Sequence, residues 1–187
     1  MAAGGGSAAV GELIQASVPR RTLVPATIDA AAFRPFGQVI DRNDARAARS
    51  INDGTAWRVH DLARIDLDLA GAHAGLSLVR AMPLALPFRL QCLERHRLGT
   101  QAFVPLDAAR WMVVVAAGEA EPDLGSLRVF VASGAQGVNY ARGTWHHPLL
   151  AIEREASFLV VDRMAEDGAE DCDMRDVVAL DTWIVAA

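Results

Sequence analysis

An all-β chain, a sandwich or barrel with a few short helices, is what this sequence predicts on three observations. Short apolar runs recur along most of its length, Gly and Pro separate them at close intervals, and helical periodicity is nearly absent. The 187 residues are enough to bury a core within one domain.

Residues 1–19 are rich in Ala, Gly and Ser and end in Pro19, which reads as a flexible N-terminal extension and leaves 20–187 as a single barrel domain. Thr27 followed by Asp29-Ala30-Ala31-Ala32-Phe33 looks like an N-cap and one or two helical turns, stopped before Pro35, with Val39-Ile40 extended beyond it. Strands are then expected over 76–81, 88–96, 101–106, 111–116, 127–132, 138–142 and 158–163. Pro83, Pro87, Gly99-Thr100, Gly118, Pro122, Gly134 and Gly137 punctuate them.

Charge and cysteine usage narrow the function classes. The 18 basic against 23 acidic residues give a net charge of -5, and no Lys/Arg run forms the basic stripe that a phosphate backbone requires, so nucleic acid is not an expected partner. Cys92 and Cys172 make neither a disulfide framework nor a metal-spacing motif, which fits a reducing compartment. The first ten residues lack the basic and apolar regions of a secretory signal, and no apolar run approaches the roughly 18 residues of a membrane span. The expectation is a cytoplasmic protein with no membrane segment.

Alternation along the strands then picks out candidate site residues. In the run 88–96 the even positions are Phe88, Leu90, Cys92, Glu94 and His96, so a face that begins as core ends as an acid and an imidazole. Their two-residue spacing puts the Cα atoms roughly 6.6 Å apart, close enough to share one small ligand or ion. Gln101 opens the next strand. By the same rule Arg80 shares a face with Leu76 and Leu78, and an inward guanidinium in a barrel mouth would match a carboxylate through its planar fork. A second polar cluster, Asn139-Tyr140-Ala141-Arg142-Gly143-Thr144-Trp145-His146-His147-Pro148, lies far downstream. Buried charge and imidazole cost several kcal/mol unless paired or ligated, so two such clusters in β-structure are expected to meet inside the barrel.

Other polar residues read more plainly. Arg58 and His60 alternate onto one face, which suits an exposed edge strand as well as a site. His73 reads as a loop histidine, Asp162-Arg163 as a structural pair at a strand end, and Trp145 as pocket wall. Ser133 and Thr144 lack the acid–His surroundings of a hydrolase triad.

The E-x-H-x4-Q cluster of Glu94, His96 and Gln101 with the later G-x-x-H ending at His146 resembles a degenerate cupin, in which Glu94 stands for the usual first His and Gln101 for the usual Glu, and this resemblance implies an all-β, cupin-like double-stranded β-helix (a jelly-roll barrel). More specifically, LERHRLGTQAFVPL, PDLGSLRVFVASGAQGVNYARGTWHHPL, FLVVDR, and the earlier INDG and RVHDLA are similar to the ureidoglycolate lyase family, from about Thr22 to Arg163. One departure is Ala141, where that family commonly has His. The resemblance implies cleavage of (S)-ureidoglycolate to glyoxylate and urea, a step of allantoin and purine catabolism, by a cytoplasmic homodimer. It implies Glu94, His96 and His146 as catalytic residues, with base and acid interchangeable between Glu94 and His146. Arg80, Arg58, Gln101, Asn139 and Tyr140 would bind substrate. A divalent metal such as Ni²⁺ on His96, His146, Glu94 and Gln101 is compatible with these residue types, and so is an anion held by hydrogen bonds alone. Two other classes stay open: a non-catalytic cupin that binds a small organic acid, and a metal-dependent oxygenase or isomerase cupin, against which Glu94 counts. The apolar Trp183-Ile184-Val185 end should pack on its own barrel or on a partner subunit.

Overall fold

A computed structural model describes residues 20–107, 109–169 and 171–186, so the extension expected over 1–19 lies outside the described residues. In chain order the first elements are β1 (Arg21–Leu23), β2 (Ala26–Thr27), a one-turn helix α1 (Ala30–Phe33), β3 (Gly37–Asp41), β4 (Ala48–Ile51), β5 (Ala56–Val59) and β6 (Ala72–Ala81). They are followed by β7 (Phe88–Arg89), β8 (Cys92–Arg95), β9 (Gln101–Pro105), β10 (Trp111–Ala117), β11 (Asp123–Ala132) and β12 (Gln136–Tyr140). The last are β13 (Trp145–His146), β14 (Leu150–Ala151), β15 (Ala156–Ala165), β16 (Asp173–Asp176) and β17 (Thr182–Ile184).

Two large sheets form the barrel. One has the order β16-β8-β13-β10-β11-β2 with β14 also paired to β10, and the other the order β3-β12-β9-β15-β6. This is the jelly-roll arrangement that the cupin resemblance implies. Between the sheets lies a core of Trp111, Val113, Val115, Phe130, Phe103, Val138, Tyr140, Phe158 and Val160, with the Trp111 and Phe158 rings edge-on at 5.0 Å. The outer face of the first sheet is buried too. Met112, Val114, Ala116, Leu93, Trp145 and Ile184 pack there under a third sheet, β1-β17-β7. β10 is thus covered on both faces, which is why it reads as an uninterrupted apolar run rather than an alternating one. Each of its fully buried valines contributes about 1.5–3 kcal/mol.

The structure departs from the sequence reading at three places. Asp29, not Thr27, caps the helix, accepting from the backbone of Ala31 and Ala32 at 2.8 and 2.9 Å, and Phe33 then plugs the barrel. The run 88–96 is two strands, because the chain changes sheets at Leu90-Gln91: β7 pairs with β17 while β8 pairs with β13 and β16. Leu90 and Leu93 therefore share the outer core although three residues apart, and the alternation does not run through from Phe88. β6 starts earlier than expected, so His73 is an exposed strand residue and not a loop histidine. Its Leu76 and Leu78, read as core, are 70% and 71% exposed, because β6 is the edge of its sheet and nothing among the described residues covers that face. The C-terminal segment packs on its own barrel: β17 lies between β1 and β7, and Ile184 is fully buried.

Candidate active site

Strand pairing brings the two polar clusters together. β8 lies beside β13 with Glu94 opposite His146, and the Gly143 amide donates to the carbonyl of His96 at 2.7 Å. Gly143 makes that approach with φ of +74°, a conformation that side chains with a Cβ rarely adopt. On the other sheet, β9 starts at Gln101 between β12 and β15. A chamber of about 450 Å³ opens between the sheets, lined by Glu94, His96, Thr100, Gln101, Asp162 and Cys172 among others.

The two imidazoles are held in matching orientations. His96 Nδ1 meets the carbonyl of Asp171 at 2.5 Å, and His146 Nδ1 meets that of Thr144 at 2.9 Å. A carbonyl only accepts, so Nδ1 carries the hydrogen in each neutral ring and Nε2 keeps its lone pair. Both Nε2 atoms are buried without a hydrogen-bond partner. His146 lies under the chamber floor, stacked on Tyr140 at 4.1 Å between ring centroids and 3.5 Å by Nε2 from Glu94 Oε1. That separation is too long for a well-aligned hydrogen bond, and a lone pair facing a carboxylate oxygen attracts it only when a proton or a cation lies between them, which leaves Nε2 available to a third group. Burial pushes the Glu94 carboxyl upward, but the His146 contact and the positive charge that His146, His96 and His147 carry when protonated outweigh it and hold the group below the usual carboxylate range. Cys172 Sγ lies 3.9 Å from Glu94 Oε2. Burial also lowers His147, whose ring stands edge-on to Phe88, and raises Tyr140 far above its ordinary range.

Gln101 and Asp162 complete the opposite wall. Gln101 Nε2 donates to Asp162 Oδ2 at 3.2 Å, while Gln101 Oε1 and Asp162 Oδ1 are buried without partners. Asp162 was read as part of a structural pair with Arg163, and the structure separates them: Arg163 donates to the carbonyls of Asp68 and Ala70. The other expected residues divide. Asn139 is buried, and its Nδ2 is spent on Gln38 Oε1 at 3.2 Å and the Arg64 carbonyl at 2.9 Å, so it anchors the loop beside the barrel mouth. Arg80 does not point inward. It lies on the exposed face of β6 in an ion pair with Glu155 at 3.1 Å, because the apolar residues that share its face are themselves outside. Arg58 is exposed on the β4–β5 hairpin. Ala141 is exposed just past the end of β12.

These groups form a closed acid–imidazole cluster at the end of a chamber sized for a small molecule. Comparison with known proteins says which lineage it comes from. The family model described as ureidoglycolate lyase matches residues 20–185. The chain belongs to the ureidoglycolate lyase family. A relative from Burkholderia mallei named ureidoglycolate lyase is 49% identical over 144 residues, covering 76% of this chain and 83% of its own. One of the same name from Salmonella typhimurium is 43% identical over 150 residues, covering 80% and 91%. The family's match spans both polar clusters and every strand of the barrel.

Three residues of the cluster also suit a metal. One ligand atom each from Glu94, His96 and His146 lie within 4.8 Å of one another, and each imidazole keeps a buried, unpartnered Nε2. A carboxylate oxygen with two imidazole nitrogens is a donor set that divalent transition ions take. Gln101 Oε1 is a further unpartnered oxygen on the chamber wall.

Proposed function

We propose that this protein cleaves (S)-ureidoglycolate to glyoxylate and urea, within allantoin and purine catabolism, with residues 20–187 as one catalytic domain. The observation that carries the reading is the Glu94–His146 pair: a carboxylate on the chamber wall, held ionised, with a properly tautomerised imidazole behind it. Ureidoglycolate is a hemiaminal, so its C2 hydroxyl must lose a proton as the C2–N bond breaks and the departing urea nitrogen gains one. Glu94 faces the chamber and is the group that takes the hydroxyl proton. His146 shares the added positive charge through the 3.5 Å contact, and the same carboxyl returns the proton to the urea nitrogen. The C–N bond breaks, C=O forms, and no atom is gained or lost. Gln101 and Asp162 bind the ureido group, since Gln101 Oε1 and Asp162 Oδ1 are unspent acceptors for its N–H donors. Tyr140 stacks under His146 and fixes its plane. His96 completes the cluster from the strand end.

As an alternative to that proton route, Glu94, His96 and His146 would hold a divalent ion such as Ni²⁺, with Gln101 as a further oxygen. When bound, such an ion polarises the substrate hydroxyl and lowers its pKa. Two further parts of the reading concern the whole protein. It works as a homodimer, supported by the exposed apolar edge of β6, where Leu76, Leu78 and Met82 would be an aggregation liability on a monomer. It works in the cytoplasm, supported by two cysteines that form no disulfide and by the absence, among the described residues, of any helix long and apolar enough to cross a membrane. The non-catalytic binder loses ground to the lyase, since relatives at 43–49% identity carry the lyase name.

The test is turnover. Purified protein given ureidoglycolate should release glyoxylate far above the spontaneous rate, and Glu94→Gln should lose about 100- to 10,000-fold in kcat with its melting temperature retained. Release at the spontaneous rate, or a fully active Glu94→Gln variant, defeats this reading.

A further inference from the structure

The chamber has a charge problem that the described residues of its own chain do not solve. Its lining carries the carboxylates Glu94, Asp162 and Asp171, while the substrate is itself an anion. Arg163 is the guanidinium on that lining, and its Nε and Nη2 are committed to the carbonyls of Asp68 and Ala70. The β4–β5 hairpin has the opposite problem. Its two strands form a sheet of their own, and among the described residues no hydrogen bond or ion pair ties 48–59 to the barrel strands. Arg49 and Arg58 face each other directly across it, both exposed and neither in an ion pair. Like charges in that register destabilise a hairpin unless an anion lies between them. The other face carries Trp57, 73% exposed, opposite Ser50.

From this we infer that the hairpin is an arm that reaches into a second copy of the chain, where Arg49 and Arg58 close the mouth of the partner's chamber and clamp the substrate carboxylate. Two guanidinium forks match the two oxygens of a carboxylate and offset the acidic lining. Trp57 gains the apolar cover that the described residues of its own chain do not give it. The inference rests on the proposed lyase reading for the identity of the anion, and it makes each site incomplete without the other subunit.

Subunit mixing tests it. Arg49→Ala/Arg58→Ala chains keep an intact chamber, and His146→Ala chains keep an intact arm. Each homodimer should be weakened, the first by a KM raised about 10- to 100-fold. Reassembled together at equal amounts, they should recover about a quarter of wild-type activity at low substrate, because half the dimers carry one complete site. Activity no higher than the sum of the two parents overturns the inference, as does a double-arginine variant with unchanged KM. A second readout does not depend on the reaction. Trypsin cleavage after Arg49 and Arg58 should be slow at high protein concentration and become fast on dilution to monomer; a rate independent of concentration overturns the arm. If wild-type protein releases no glyoxylate, the lyase reading falls while the trypsin result still decides the arm.

Discussion

Asp107 holds two backbone amides at once, those of Ala109 and Ser157, each at 3.0 Å, and so ties the turn after β9 to the start of β15. These bonds, the Ser157 amide first, keep its carboxyl below the usual range. A folded-state pKa below the unfolded value means that the stabilisation is present above about pH 4 and disappears as pH falls through the folded value. Asp107→Ala should therefore cost about 1 kcal/mol at pH 7, and the gap to wild type should narrow at pH 3.5. Urea unfolding at the two pH values checks this; an equal gap at both would show that the carboxylate is not the stabilising species. At the same scale, the sequence carried more of the site than was taken from it. Phe158 and Val160 are buried on one face of β15, and Asp162 follows them by the same period-two rule that singled out Glu94. Its neighbour Arg163 drew it into a structural pair instead. Cys172 offered no such signal, because it comes to Glu94 from a loop whose path only the fold determines.

At the scale of elements, the site depends on how closely β3 approaches β12. A Cβ on Gly37 would lie 2.0 Å from the Asn139 carbonyl oxygen, and its φ of +148° is one that other residues rarely take. Gly37→Ala should cost on the order of 2–4 kcal/mol and loosen the Asn139 anchor on the Arg64 loop, read as a lower urea midpoint with an unchanged slope. A variant as stable as wild type would mean that the two strands have room to part. Alternation holds where one strand keeps one environment, as in β15, and fails where that assumption breaks. The run 88–96 changes sheets midway, and β6 leaves both its faces largely open at a sheet edge. Glu94 still faces inward, but because β8 pairs with β13 and not because Phe88 and Leu90 set the phase. Arg80 was misplaced for the converse reason. Apolar neighbours mark the core only when a second layer covers them, and Leu76 and Leu78 have none within the described chain.

For the whole molecule, frequent turn signals and the lack of helical periodicity were enough to identify an all-β sandwich or barrel, since such a chain must close or stack its sheets to bury them, and the cupin resemblance pointed to the barrel. Which strands pair across the barrel was not legible, being set by long-range packing of residues such as Trp111 against Phe158. The meeting of residues 94–101 with 139–146 could be expected only from the cost of burying them apart, and the β8–β13 and β9–β12 pairings give it its form. The central claim is that this meeting makes one chamber in which a small carboxylic compound is turned over. A crystallographic map after soaking with glyoxylate tests it most directly. Density for the compound within contact of Glu94 and His96 is the predicted result; a chamber filled only by solvent, with glyoxylate bound elsewhere on the protein, would contradict it.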